Sequence, residues 1–351
     1  MKRHMTILSA ATAVVIAVTV SGCGGTADAG GSTAGTPAEV KELRYQGWAN
    51  TVTLPELAQD LGYLGDVKLN WVGNTISGPQ DIQSAATGQT DFGGAFAGAV
   101  VKLIEAGAPV KAVVNYYGED GKTFNGFYVK EDSNIRNARD FIGKKIGVNT
   151  LGAHSDAVIN TYLQKNGLSA DEIKQVQLVV VPPNDTEEAI RRGQVDAGSL
   201  GSILQDKAVA NGGLRSVFSD FEFFGTFAGG PYVLRNDFIA RNPNTTKTFT
   251  TGVAKGIEWE RSTPREEVIA RFTKIMADRG RSENPAALRY WKSVGVPSKG
   301  EIKDEDFTRW GKWLKDTGIT KGDLDPKKLY TNEFNSLVTA SAPATAPASK
   351  G

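Results

Sequence analysis

Gly88-Gln89-Thr90-Asp91-Phe92-Gly93-Gly94-Ala95-Phe96-Ala97-Gly98 is the stretch whose reading decides the fold. A variant returns 105 residues later as Gly193-Gln194-Val195-Asp196-Ala197-Gly198-Ser199-Leu200-Gly201. Each G-Q-x-D-x-G follows a short amphipathic run (Asp81 to Thr87; Thr186 to Arg192) and precedes a second helical run. An apolar β-type run comes before each unit, Val72-Gly73 ahead of Gly78-Pro79 and Val179-Val180-Val181 ahead of Pro182-Pro183. The pattern predicts helix, glycine stop, short strand, glycine-rich turn, helix. In an open α/β sheet such a turn lies at the carboxyl end of a strand, where backbone N–H groups face a crevice and ligands bind. A single copy also reads as a helix-to-strand connector with no ligand. Two copies in matched context, a small domain apart, argue for two similar lobes.

Toward the amino terminus, Lys41 to Gln46 predicts a strand that ends in the turn Gln46-Gly47-Trp48-Ala49-Asn50. Leu54 to Leu64 has helical periodicity, and Val67 to Val72 alternates as a strand. After the first motif, an apolar helix from Ala95 to Ala106 leads to a buried-type strand, Val110 to Tyr117. Lys145 to Val148 and Gln177 to Val181 are further strands, and this order of elements argues for a parallel sheet. Tyr232 to Arg235 reads as a strand returning to the first lobe after the glycine-rich Gly225 to Gly230. From Pro243 onward the pattern is helical, with Trp259, Phe272, Trp291, Phe307 and Trp310 as packing anchors. These helices are expected to buttress the first lobe, with chain crossings near Tyr128–Asp132 and Gly225–Pro231.

Met1-Lys2-Arg3-His4 is a positive start, and Met5 to Val20 is apolar but too short to span a bilayer. The closing Val20-Ser21-Gly22-Cys23 resembles the bacterial lipobox, which implies diacylglycerol on Cys23 and cleavage before it. Cys23 is the only cysteine in 351 residues, so no thiol is left for a disulfide, a metal or a nucleophile. Without Lys2 and Arg3 the mature chain holds 38 basic and 39 acidic residues, which indicates neither a nucleic-acid surface nor a polybasic membrane patch. The partition is a leader at 1–22, a flexible tether at 23–40, a discontinuous first lobe at 41–128 plus 231–335, a second lobe at 129–230 and a disordered tail at 336–351.

The chain resembles the solute-binding lipoproteins of ABC importers in the sulfonate, nitrate, taurine and thiamine-precursor group, over roughly Leu43 to Pro243. The resemblance is carried by Ala138-Arg139-Asp140-Phe141-Ile142-Gly143-Lys144-Lys145-Ile146-Gly147-Val148, by Val181-Pro182-Pro183-Asn184-Asp185 and by both G-Q-x-D-x-G units. It implies an α/β, two-lobed fold of the periplasmic-binding-protein type (type II), with two chain crossings and a C-terminal helical extension on the first lobe. It also implies a monomer held by lipid to the outer face of the bacterial cell membrane, which passes a small, often anionic solute to a membrane permease. Many members carry an aromatic-rich segment where this chain has Gly198-Ser199-Leu200-Gly201, so the usual solute does not transfer with the fold.

Three turns open helices with unpaired N–H groups that suit a sulfonate, carboxylate or phosphate: Gly93–Ala97, Thr150–Ser155 and Gly198–Gly201. The second matches the family's anion-receiving turn and adds Thr150, His154 and Ser155 as donors beside Gly152 and Ala153. Asn184 and Ser199 complete that side. The opposite side is expected to supply Trp48, Asn50, Asn74, Gly94, Ala95, Phe96, Asn115 and Tyr116, whose rings and amides suit an organic body. No G-x-S-x-G elbow, H-E-x-x-H helix, Cys/His metal set or Walker loop occurs, so no catalytic residue, metal or cofactor is expected. An enzyme on the same fold, of lyase or desulfinase type, and a binder of a thiamine-precursor pyrimidine are the alternatives.

Overall fold

The computed structural model describes residues 38–340. The leader, Cys23 and the tail from 341 lie outside the described residues. Ten strands form three sheets: β1 Glu42–Gly47, β2 Lys68–Asn74, β3 Phe92–Gly94, β4 Val110–Glu119, β5 Asn125–Lys130, β6 Lys145–Val148, β7 Gln177–Val180, β8 Ala197–Gly201, β9 Leu214–Ser219 and β10 Phe227–Arg235. The orders are β1-β2, β3-β10-β4 and β7-β6-β8-β5-β9. This mixed α/β architecture carries the predicted parallel pairs, β1 with β2 and β6 with both β7 and β8. It departs from an all-parallel sheet at β5 and β10, which run antiparallel to their neighbours. Both strands enter their sheets from a crossing, and so in the opposite direction. Since β5 already belongs to the five-stranded sheet, the first crossing falls at Asp120–Phe124, ahead of the expected Tyr128–Asp132.

The repeated motif does the same structural work twice. Gly88 and Gly193 stop their helices at φ 78° and 69°, a region that glycine enters without strain. The next polar step is also shared. Asp91 accepts the Arg44 N–H at 2.7 Å and donates its own N–H to the Arg44 carbonyl at 2.8 Å. Asp196 accepts the Lys145 N–H at 2.8 Å and donates to the Lys145 carbonyl at 2.8 Å. Each aspartate therefore pins a nearby strand, β1 at its third residue Arg44 and β6 at its first residue Lys145. The connector role and the internal repeat are both real, and the motif's acid is architectural.

The glycine-rich run before Tyr232 is a strand and not a linker. A Cβ on Gly230 would come within 1.9 Å of the Ala95 carbonyl, so only glycine lets β10 pass under the β3 turn. The long helix Pro243–Ser262 packs Val253 and Ile257 with Leu54 and Leu57, as a buttress on the first group of elements should. The later helices reach further than expected. Trp310 is buried between Phe96 at 4.7 Å and Phe224 at 5.2 Å, so it ties β3's turn to the segment between β9 and β10. The tail also begins later than 336. Ser336–Thr339 is a short helix whose Ser336 N–H donates to Thr251 Oγ1 at 3.1 Å.

Candidate functional site

A cavity of about 820 Å³ opens where the carboxyl ends of β1, β2, β6 and β7 and the end of β8 converge. Its first wall is built from the turn Trp48–Leu54, from Asn74 to Pro79, from Phe96, and from Tyr116 to Glu119, with Glu260, Phe272 and Asn284–Trp291 behind them. Its second wall is Asn149, Ala153 to Ser155, Pro182 to Asn184 and Ser199 to Leu204, with Asn125 between the two.

The two walls end their helices differently. On the first, Thr53 Oγ1 accepts the Glu56 N–H at 3.4 Å while Glu56 accepts the Thr53 N–H at 2.9 Å, a reciprocal cap. Ser77 likewise caps the helix Gly78–Ala86, while the helix Ala97–Glu105 starts at Phe96 without a side-chain cap. The Trp48 turn is held from beneath by buried ions. Glu56 meets Arg279 at 2.9 Å and Arg281 at 3.0 Å, and Glu283 accepts the Asn50 N–H at 2.9 Å. On the second wall the helices His154–Lys165, Pro183–Arg191 and Ser202–Ala210 start at Ala153, Pro182 and Gly201, and none has a side-chain cap. Pro183 has no N–H and the Ser202 N–H goes to the Phe124 carbonyl at 3.3 Å, which leaves the amides of Ala153–Ser155, Asn184 and Ile203 and the positive ends of the dipoles to the cavity. Hydroxyls stand beside them: Ser155 and Ser199 are 2.7 Å apart, and Ser199 donates to Asn125 Oδ1 at 2.9 Å.

Acids line the first wall. Glu260 is 7% exposed, and burial alone pushes its carboxyl up to about 8. Burial, with Asp220 nearby, holds Glu119 well above the carboxylate range. His154 is pushed down to about 4 by burial, so it is neutral at neutral pH. Of the lining cations, Lys207 and Arg289 are exposed at the rim. An anion in this cavity would therefore rely on main-chain N–H groups of the second wall.

Trp48, Asn50, Asn74, Phe96, Tyr116, Ala153, His154, Asn184 and Ser199 are brought together on this one cavity. Phe96 stacks on the His154 ring at 5.4 Å, and Tyr116 stacks on Tyr232 at 4.2 Å. Five expected residues lie off it. Asn115 is fully buried, and its amide donates to the Glu301 carbonyl at 2.8 Å and to Asp306 at 2.9 Å, a tie to the C-terminal helices. Gly94 gives its N–H to buried Asp81 at 2.7 Å, and Ala95 gives its own to the Pro231 carbonyl at 3.3 Å. Gly152 gives its N–H to Asp156 at 2.8 Å, which removes it as an anion donor, and Thr150 precedes it off the wall. Of the expected turn Thr150–Ser155, only Ala153 to Ser155 line the cavity. The second-wall helix at Pro183 starts before Asn184, because Pro at the first position costs no hydrogen bond.

A family model described as NMT1/THI5 like matches residues 56–267. The chain belongs to this family. Within the same group of similar proteins, a putative aliphatic sulfonates-binding protein of Bacillus subtilis (strain 168) is 25% identical over 267 residues, 74% of this chain and 75% of that one. Two solved structures share the fold. The periplasmic aliphatic sulphonate binding protein SsuA of Escherichia coli aligns at TM-score 0.64 and 18% identity, over 84% of this chain and 92% of that one. The desulfurization enzyme DSZB aligns at 0.58 and 14%, over 84% and 97%.

Glu119, Asn125, Asp220 and Glu260 escape sequence reasoning. Glu119, Asp220 and Glu260 each sit beside other polar residues and read as solvated surface, and only the crossings bring the first three together. The one local signal is Ser219-Asp220 opening a capped helix, which says nothing of a cavity.

Proposed function

We propose that this member of the NMT1/THI5-like family is the extracytoplasmic substrate-binding component of an ABC importer. It captures a small organic solute bearing a sulfonate-like anion and delivers it to a membrane permease. The observation that carries this is the convergence of three uncapped helix starts on a cavity whose other wall is aromatic. Anionic oxygens accept from the main-chain N–H groups of Ala153–Ser155, Asn184 and Ile203, while Trp48, Phe96 and Tyr116 cover the carbon body. The sulfonate-binding names of its relatives support the same solute class.

Capture is physical and breaks no bond. The segments 41–119 with 227–335 and 125–224 act as lobes hinged at the crossings, and closure is favoured by contacts the solute makes only in the shut form. Diacylglycerol on Cys23 holds the mature chain at the outer face of the membrane. A second reading, a thiamine-precursor pyrimidine, is favoured by Glu260, whose protonated carboxyl can pair with a ring nitrogen. A thermal-shift panel of short alkanesulfonates against aminopyrimidines separates the two. The sulfonate reading expects melting to rise with the former and not the latter, and the reverse pattern transfers the function to the second.

A further inference from the structure

Glu119, His154 and Asp220 are far apart in sequence and come from the end of β4, the first turn of His154–Lys165 and the first turn of Asp220–Phe224. One donor atom from each lies within 4.8 Å of the other two. Glu119 is 5% exposed, Asp220 is fully buried and the His154 side chain is 13% exposed. Asp220 Oδ1 accepts the Asn125 N–H at 3.0 Å, which fixes the carboxyl and leaves Oδ2 free. Oδ2 lies 3.3 Å from His154 Nε2, yet neither atom has a hydrogen-bond partner.

Two facing buried carboxyls cannot both ionise unless a cation lies with them. A proton shared between Glu119 and Asp220 relieves their repulsion, and a neutral His154 can then turn Nε2–H to Oδ2 only at a long 3.3 Å. A metal ion bound by one atom of each residue satisfies all three at once. The 3.3 Å between Nε2 and Oδ2 is also the span of two metal–donor bonds of about 2.0–2.1 Å meeting near the tetrahedral angle. We propose that Glu119, His154 and Asp220 bind one divalent transition-metal ion, of the kind that takes mixed imidazole and carboxylate donors, such as Zn²⁺. Its supporting contacts are in place. Asn125 holds Asp220, and Phe96 and Trp310 pack on the imidazole at 5.4 and 5.8 Å. Three protein donors leave a coordination position open. Because Glu119 and His154 line the cavity, that position faces it.

The site needs no assumption about the solute, so it is tested with Zn²⁺ alone. The full chain, stripped with chelator and titrated calorimetrically in solute-free buffer, should take one ion per chain. Asp220→Asn and His154→Gln should each weaken binding by roughly 10- to 100-fold or more, with His4→Gln unchanged. Zinc-edge X-ray absorption on the unmutated chain should show only nitrogen and oxygen neighbours with one imidazole, and it decides the matter even if the buried variants fail to fold. Absence of stoichiometric zinc, unchanged affinity in both variants, or a sulfur neighbour, which would put the ion on Cys23, overturns the site.

Discussion

The two walls of the cavity use the same strand-to-helix plan and finish it in opposite ways. On the first, Thr53 and Ser77 satisfy their helices' amides from within, and Glu56 and Glu283 neutralise Arg279 and Arg281 beneath the Trp48 turn. On the second, Ala153, Pro182 and Gly201 supply no side-chain cap. Pro183 has no N–H and the Ser202 N–H goes to the Phe124 carbonyl, but the amides of Ala153–Ser155, Asn184 and Ile203 are left to whatever occupies the cavity. The first wall is finished at Thr53 and Ser77 and left open only at Phe96, where the helix Ala97–Glu105 starts without a side-chain cap, whereas the second wall has no capped helix start. A repeat can thus conserve architecture, as Asp91 and Asp196 do, while the cap positions divide the labour.

The first way to break this contrast is to undo the finished wall. Glu56→Ala leaves two buried guanidinium groups without their shared carboxylate, and it should cost about 3–5 kcal/mol in denaturant unfolding. A loss within that of a surface ion pair would mean the network does not brace the turn.

The acid of the first wall gives the next test. Glu260 in the folded chain titrates near 8 against an ordinary 4.5. Between those values the folded state holds a proton that the unfolded state has released, so stability falls as pH rises through the window and levels off above it. The slope should reach about 1.4 kcal/mol per pH unit and vanish in Glu260→Gln. Equal slopes in both proteins, measured by urea titrations from pH 5 to about 9, would remove Glu260 from the buried set.

The smallest effects sharpen the comparison most. Thr53→Ala should lose about 1 kcal/mol of stability and leave solute affinity untouched. Ala153→Ser, a cap supplied to the unfinished wall, should gain stability of about 0.5–2 kcal/mol and weaken an anionic solute several-fold. Parallel melting curves and titrations read both. If the two substitutions shift stability and affinity in the same direction, the walls are not divided as described.

Much of this plan is legible in the sequence because it rests on local rules. Gly88 and Gly193 announce helix stops, and the alternation in β2 announces a strand. The glycine- and hydroxyl-rich turns Gly93–Ala97, Thr150–Ser155 and Gly198–Gly201 announce helix starts, though Asn184 or Asp185 reads as a cap that the helix starting at Pro183 does not use. What stays hidden depends on approach between distant segments. Gly225–Gly230 reads as a linker, but Gly230 is glycine because Ala95 passes against it. Asn115 reads as a cleft amide until the C-terminal helices claim it, and Gly152 reads as an anion donor until Asp156 takes its N–H. β9 is short and carries Arg215 and Ser216, so its alternation is weak. Glu119 and Asp220 acquire meaning only when both crossings are drawn side by side.

Calorimetric titration of the full chain, with chelator present, by a short alkanesulfonate and by its uncharged sulfonamide tests the central claim most directly. Stoichiometric binding of the sulfonate, with the sulfonamide far weaker, is the predicted result. Equal binding of the two, or none of the sulfonate, would contradict capture by open helix ends.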